Sequence, residues 1–313
     1  MRNGDRLALI LTTLSAVAGS LAAQSECSGV PTPAQTICSR AVDAYKTFQP
    51  FGGIAISGGN PELGTARALG GPGHLFVSAR VNAVKADIPN PDTTQGKISG
   101  GVPAPVVEGG LGLFQGTGGG LLAVDALVSA TLLPTNLDKL SVDSNATRIG
   151  SVALGVGYGA RVGVLNGAFP IPSVSVSVMR RSLPRVQLGD LSKGDNFQFD
   201  TDLKATNIRV AASLRFILLD LAAGFGFDHY SSTGHLRFYN NPPLNTTVQT
   251  ITVPVTNNRQ VLFANAGLNF VAMKLVGEIG YQTGKDQQLS TSYSDFDPTA
   301  GHVYGGVGVR FSF

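Results

Sequence analysis

From Val152 to Val164 the sequence alternates with a period of two. Val152, Leu154, Val156, Tyr158, Ala160, Val162 and Val164 share one parity; Ser151, Ala153, Gly155, Gly157, Gly159, Arg161 and Gly163 share the other. Successive side chains of a strand point to opposite faces, so this run has one apolar face and one small or polar face. Nine further stretches read the same way: 74–89, 105–114, 119–133, 171–182, 206–217, 219–230, 260–270, 274–283 and 302–313. Within 74–89 the parity flips at Ala83–Val84, from Leu75, Val77, Ala79, Val81 and Ala83 to Val84, Ala86 and Ile88. A bulge is expected there.

Each run is long enough to cross a bilayer at a tilt. The connections after 114, 164, 217 and 270 are short; those at 89–104, 134–148, 183–205, 231–259 and 284–301 are long and polar. This short–long alternation predicts an up-and-down barrel with both ends of the chain on the short-turn side. Within the long connections, Asn196 to Leu203 and Val248 to Val255 also alternate, and are expected to pair as ribbons above the membrane. Past residue 23 no apolar run reaches the length of a membrane helix, so any crossing is made by strands. The expected class is all-β: a transmembrane antiparallel barrel of about ten strands, with twelve as the alternative. A soluble β-sandwich competes. It fits less well, because the second face carries Gly, Ser, Ala and sparse charge rather than the Lys, Glu and Thr of a wetted sheet. No fixed-length repeat is present.

The last strand ends on Phe311-Ser-Phe313. Such an ending resembles the closing strand of Gram-negative bacterial outer-membrane β-barrels, whose terminal aromatic is part of the assembly signal. The resemblance implies an outer-membrane location, lipid and the barrel-assembly machinery as partners, and an assembly role for Phe311 and Phe313.

Residues 1–23 read as a Sec-type signal peptide: Arg2 and Arg6, an apolar core over Leu7–Gly19, and small residues at Leu21-Ala22-Ala23. Cys27 and Cys38 are the only cysteines. In an exported chain such a local pair suggests a disulfide, with free thiols or a metal site as alternatives. Residues 24–73 form a separate unit before the barrel of 74–313. They are expected to hold a short periplasmic helix over Ala34–Phe48, ended by Pro50. A short extended piece follows from Phe51, then a turn at Asn60-Pro61 and a helical turn or two over Glu62–Leu69. Residues 51–73 are expected to plug the periplasmic mouth.

The polar parity places Arg80, Lys85, Asp87, Glu108, Asp125, Arg161, Arg181, Arg209, Arg215, Asp220, Asp228, Glu278 and Arg310 toward the lumen. One reading is a mutually paired network filling a narrow interior. The other is a polar pore, anion-favouring around Arg161, Arg181, Arg209 and Arg215. His229 and His235 near Asp228 lack the spacing of any hydrolase motif, and no metal or cofactor constellation is present. The net charge of +3, without a basic run, argues against nucleic acid as a partner. Gly58-Gly59-Asn60-Pro61 and the strand from Gly73 resemble the hatch region of the long-chain fatty-acid transporter (FadL-like) family. That resemblance implies an N-terminus entering the barrel and hydrophobic substrates leaving through a lateral opening. It covers a small part of the chain, and that family has more strands. The expected function is a channel or transporter for a small or hydrophobic solute, not an enzyme. The alternatives are a closed structural or adhesion barrel acting through its outer loops and, third, a barrel enzyme.

Overall fold

The computed structural model describes residues 25–90, 96–118, 120–134, 140–142, 148–149, 152–241 and 244–313; the expected signal peptide lies outside them. Twelve strands share one antiparallel sheet, and ten close it into a barrel. These are β1 (Leu75–Pro89), β2 (Lys97–Phe114), β3 (Ala123–Pro134), β4 (Val152–Leu165) and β5 (Ser173–Leu188), followed by β6 (Phe197–Arg215), β7 (Leu219–Tyr239), β8 (Val248–Asn269), β9 (Met273–Gln282) and β10 (His302–Ser312). Two short strands, Leu140–Val142 and Arg148–Ile149, edge β5 and β4. The ring closes where β1 pairs with β10, from Phe76↔Ser312 to Val84↔Tyr304.

All ten alternating runs are strands, and the outward parity is apolar: Val81, Leu111, Val128, Val156, Phe225 and Leu262 are exposed. A closed sheet satisfies its backbone internally, so such a wall is suited to hydrocarbon. The architecture is that of a bacterial outer-membrane β-barrel, whose short-turn end faces the periplasm.

The expected bulge at Ala83–Val84 is absent. The β1–β2 register runs unbroken through Ala83↔Pro103 and Val84↔Val102. Val84 points inward and is buried, whereas Lys85 points outward and is exposed. The change in parity records a change of surroundings on both faces. Beyond the membrane the outside is wet, and at the same height the inside is apolar. The expected loops 183–205 and 231–259 are correspondingly shorter than the sequence suggested. β5, β6, β7 and β8 run on as a four-stranded ribbon, with Leu188↔Phe199, Phe199↔Leu236 and Leu236↔Ile251 in register. The alternation in 196–203 and 248–255 belongs to this ribbon.

The segment before β1 departs most from expectation. After a 3-10 turn at Thr32–Ala34 an α-helix, α1, spans Gln35–Ser57. At about 1.5 Å per residue it is roughly 35 Å long, comparable with a hydrocarbon core of about 30 Å. It lies inside the barrel, not beside it in the periplasm. The Cys27–Cys38 disulfide is formed. Its half-cystines pack with Phe199, Leu236, Phe238 and Val253 of the ribbon, at the long-loop end. The helix then descends through the lumen toward the short turns.

Pro50 does not end it. Proline forfeits the bond to the carbonyl four residues back, but packing of the helix against the wall outweighs that local loss. Phe48 and Phe51 meet edge to face at 5.1 Å. Gln49 donates to Ser232 Oγ at 2.9 Å and to the Val255 carbonyl at 2.7 Å. Phe51 to Ser57 is therefore helical rather than extended, and Gly52-Gly53 serves close approach. A Cβ on Gly53 would sit 2.5 Å from the Tyr230 ring. The helix stops at Gly58, with φ +59°. The Asn60-Pro61 turn is present, Asn60 Nδ2 donating to the Thr65 carbonyl at 2.8 Å. The helical turns expected over Glu62–Leu69 are absent, and residues 65–70 are irregular.

Candidate functional site: the occupied lumen

Three layers of contact hold residues 25–70 within the barrel. In the middle layer the helix end meets the wall. The last carbonyls of a helix lack partners and carry partial negative charge, and here wall side chains meet them. Asn82 Nδ2 donates to Ala55 O at 3.0 Å. Arg80 donates to Ser57 O at 3.2 Å and Asn60 O at 3.0 Å. Arg209 donates to Gly58 O at 2.9 Å and Gly59 O at 2.8 Å. The next two backbone N–H groups, of Gly59 and Asn60, donate to the Glu278 carboxylate at 2.8 and 2.9 Å. This reversal of donor and acceptor follows the chain as it turns out of the helix.

The same wall residues are paired with one another. Arg80 and Arg181 each reach Glu108 at 3.0 Å. Arg209 pairs with Asp228 at 2.5 Å. Asn207 receives from Arg181 at 2.7 Å and donates to Asp228 at 2.7 Å and Ser57 Oγ at 3.0 Å. Tyr230 donates to Asp228 at 2.6 Å. Three arginines thus face three carboxylates, all buried. Buried pairs of this kind add little net stability over apolar packing, but removing one member leaves an uncompensated charge. They fix where the helix end must sit.

The upper layer ties helix and loop together. Tyr45 and Ser232 share a hydrogen bond of 2.6 Å. Asp43 accepts from the backbone N–H groups of Ser290 and Thr291, each at 2.9 Å, and from Tyr293 at 3.4 Å. Burial, and after it the Asp43 carboxylate, push the Tyr293 phenol above its ordinary pKa. The lower layer lies near the short turns. Arg161 pairs with Asp125 at 2.5 Å and with Glu62 of the lumenal segment. Arg310 also pairs with Glu62. Lys274 pairs with Asp220, as does Arg215 at 3.1 Å.

The inward candidates therefore split by height. Arg80, Glu108, Arg181, Arg209 and Glu278 meet in the middle layer. Asp125, Arg161, Arg215, Asp220 and Arg310 belong to the lower one, where only Arg215 is well exposed, its side chain at 58 %. The four arginines suggested as an anion path do not line one opening, because three of them are buried against carboxylates. Lys85 and Asp87 are not lumenal: Lys85 points outward, and Asp87 pairs with Lys97 at the long-loop end at 3.0 Å. Asp228 and His229 lie on opposite faces of β7; His229 bonds Asn258 at 2.7 Å and His235 bonds Thr252 at 3.2 Å, so no Asp–His pair forms. Among the described residues no group of three or more His, Cys, Asp or Glu could hold a metal. Phe311 and Phe313 end β10 on its outward face at the short-turn end, and Phe313 exchanges backbone bonds with Leu75 at 2.9 and 3.1 Å.

Sequence reasoning passed over Tyr45, Glu62, Asn207, Tyr230 and Lys274. Asn207 and Lys274 sit at inward parity and were legible there. Glu62 carried no periodic signal, because it belongs to the irregular lumenal segment.

No family model matches this sequence, and no curated protein matches it. Solved structures share the architecture. The outer membrane protease OmpT from Escherichia coli is 12% identical, with 77% of this chain and 97% of that one covered, at a TM-score of 0.41. The translocator domain of autotransporter NalP from Neisseria meningitidis is 11% identical over 77% and 88%, at 0.41. The Ralstonia pickettii toluene transporter TbuX is 11% identical over 83% and 93%, at 0.26. Their different activities are those of the proteins named. Among the described residues each strand of the ring of ten pairs with both neighbours, with register shifts at Gly112/Phe114, Gly163/Leu165 and Leu183/Val186.

Proposed function

We propose that this protein is a closed outer-membrane barrel, sealed by its own N-terminal segment, that works through the ribbon and loops at its outer end. The observation that carries this reading is the middle layer, where α1 ends on Arg80, Arg209 and Glu278 and the lumen is filled by buried, paired groups. A solute path along the axis would have to part all three layers. The ribbon supports the same reading. Its outward face changes from Phe225 and Phe227 to His229, His235 and Arg237, a surface suited to water and to polar partners. A channel or transporter would require the helix to leave or the layers around it to part.

Purified protein in a planar bilayer is expected to stay electrically silent at moderate voltage. Steady ohmic conductance from the unmodified chain would overturn the sealed reading and restore transport. We also assign Phe311 and Phe313 to assembly. Deleting Phe311–Phe313 removes both Leu75 bonds and the end of the β10 pairing with β1. It is expected to cut the amount of folded barrel in outer membranes at least tenfold, read by heat-dependent gel migration. Wild-type amounts of folded truncation would contradict that role.

A further inference from the structure

The short-turn mouth differs from the middle of the lumen in its charge. In the middle layer three arginines face three carboxylates. In the lower layer the cations are Arg67, Arg161, Arg215, Lys274 and Arg310, and the anions are Glu62, Asp125 and Asp220. Five cationic side chains and three anionic ones, with the Phe313 carboxylate at the same mouth, leave it net basic, with His74 beside them. Arg67, Arg215, Lys274 and Arg310 line one cavity of about 400 Å3, open to the short-turn side. Two buried donors on its wall have no protein acceptor, Arg310 Nε and Asn269 Nδ2. Arg310 is 6 % exposed. A basic cavity with exposed guanidinium groups at its rim suits an anionic ligand, and guanidinium groups suit a phosphoryl group in charge and geometry.

The rim of the same cavity is apolar, with Phe270, Val271, Met273 and Phe313. The other short turns are apolar too. Leu122 is 60 % exposed and Ile171 55 %, while Ile217 and Val271 are almost wholly exposed. Turns immersed in water are ordinarily polar. An apolar crown continuous with the lipid-facing wall places these turns at the membrane boundary, so the basic cavity opens at headgroup depth. We propose that the short-turn mouth binds the phosphoryl headgroup of an inner-leaflet phospholipid, the arginines holding the phosphate and the apolar rim meeting its acyl chains. This rests on the membrane reading of the barrel and not on whether the lumen conducts.

The probes are phosphatidylglycerol, phosphatidylcholine and inorganic phosphate, offered to the full chain in detergent. Lipid adducts are read by native mass spectrometry and phosphate by titration calorimetry. Phosphatidylglycerol is expected to be retained. Both substitutions of the double variant Arg67→Gln/Arg215→Gln fall on exposed rim positions and are expected to leave the barrel folded, as read by heat-dependent gel migration. That variant is expected to weaken retention at least tenfold. Retention unchanged in the variant, or no retention by the wild type, overturns the proposal. Inorganic phosphate bound as tightly as the lipid reassigns the site to free phosphate and overturns the lipid source. Phosphatidylcholine retained through the same arginines supports a phosphate-centred site indifferent to the rest of the headgroup.

Discussion

Replacing Arg209 with methionine is expected to lower the stability of the barrel by about 3–5 kcal/mol, the range for removing one partner of a buried ion pair. The side chain is almost wholly enclosed and meets the Gly58 and Gly59 carbonyls and Asp228 together. Methionine fills much of the volume but donates nothing. Asp228 then keeps Tyr230 and Asn207 as donors while losing its counter-charge. The comparison is Arg215→Met at the mouth, whose side chain is 58 % exposed. An exposed pair is worth at most about 1 kcal/mol. Urea unfolding followed by far-ultraviolet circular dichroism reads both. Equal losses at the two positions would show that the helix end is not clamped as described. Asp228→Asn combined with Arg209→Met should recover part of the loss, because it removes the stranded charge.

Replacing Gly53 with leucine is expected to drive α1 out of place. Even a methyl group would overlap the Tyr230 ring at 2.5 to 2.7 Å. Overpacking a well-filled interior costs about 1–3 kcal/mol or more, and here the ring is held by Asp228 and Gln282 at 2.6 and 2.8 Å. The consequence should be visible as function of the seal: the variant, refolded into a planar bilayer, is expected to show conductance steps. Tyr230→Ala opens space opposite residue 53, and the double variant should be quieter than Gly53→Leu alone. If Gly53→Leu folds with wild-type stability and remains silent, the close contact of helix and β7 is wrong.

The wall was legible because a period of two survives wherever one face meets lipid and the other a crowded interior. Phe225, Phe227, Ile208 and Leu262 announced themselves in that way. A helix over Ala34–Phe48 was legible, but its full length and its place in the lumen were not. Leu236, Phe238 and Val253 lie in a stretch read as a long polar connection, yet they point inward, above the membrane, and need a cover. Their partners are Val30, Ala34, Ala41 and Val42, residues that look like an ordinary short amphipathic helix. Pro50 and Gly52-Gly53 obscured it further, since local propensity opposes a helix there and packing overrides it. The polar parity located Arg80, Arg209 and Glu278 on the correct face. It could not say what they hold, because their partners are backbone groups of Ser57, Gly58, Gly59 and Asn60, and main-chain atoms leave no mark on composition.

The direction of α1 constrains the order in which the molecule is made. From Ser25 at the loop end the described chain runs down the axis and enters β1 at the opposite end. Residues 25–70 are therefore encircled by the very ring that β1 and β10 complete. Were the ring to close first, the disulfide-bearing end would have to pass along a finished cylinder to reach the loop end. We expect the wall to gather around the segment while β1 and β10 are still apart. The final zipper of Phe76↔Ser312 to Val84↔Tyr304 then traps it. Sealing and closure would then be one event, so an unsealed ring is expected only where the segment no longer fits, as with Gly53→Leu.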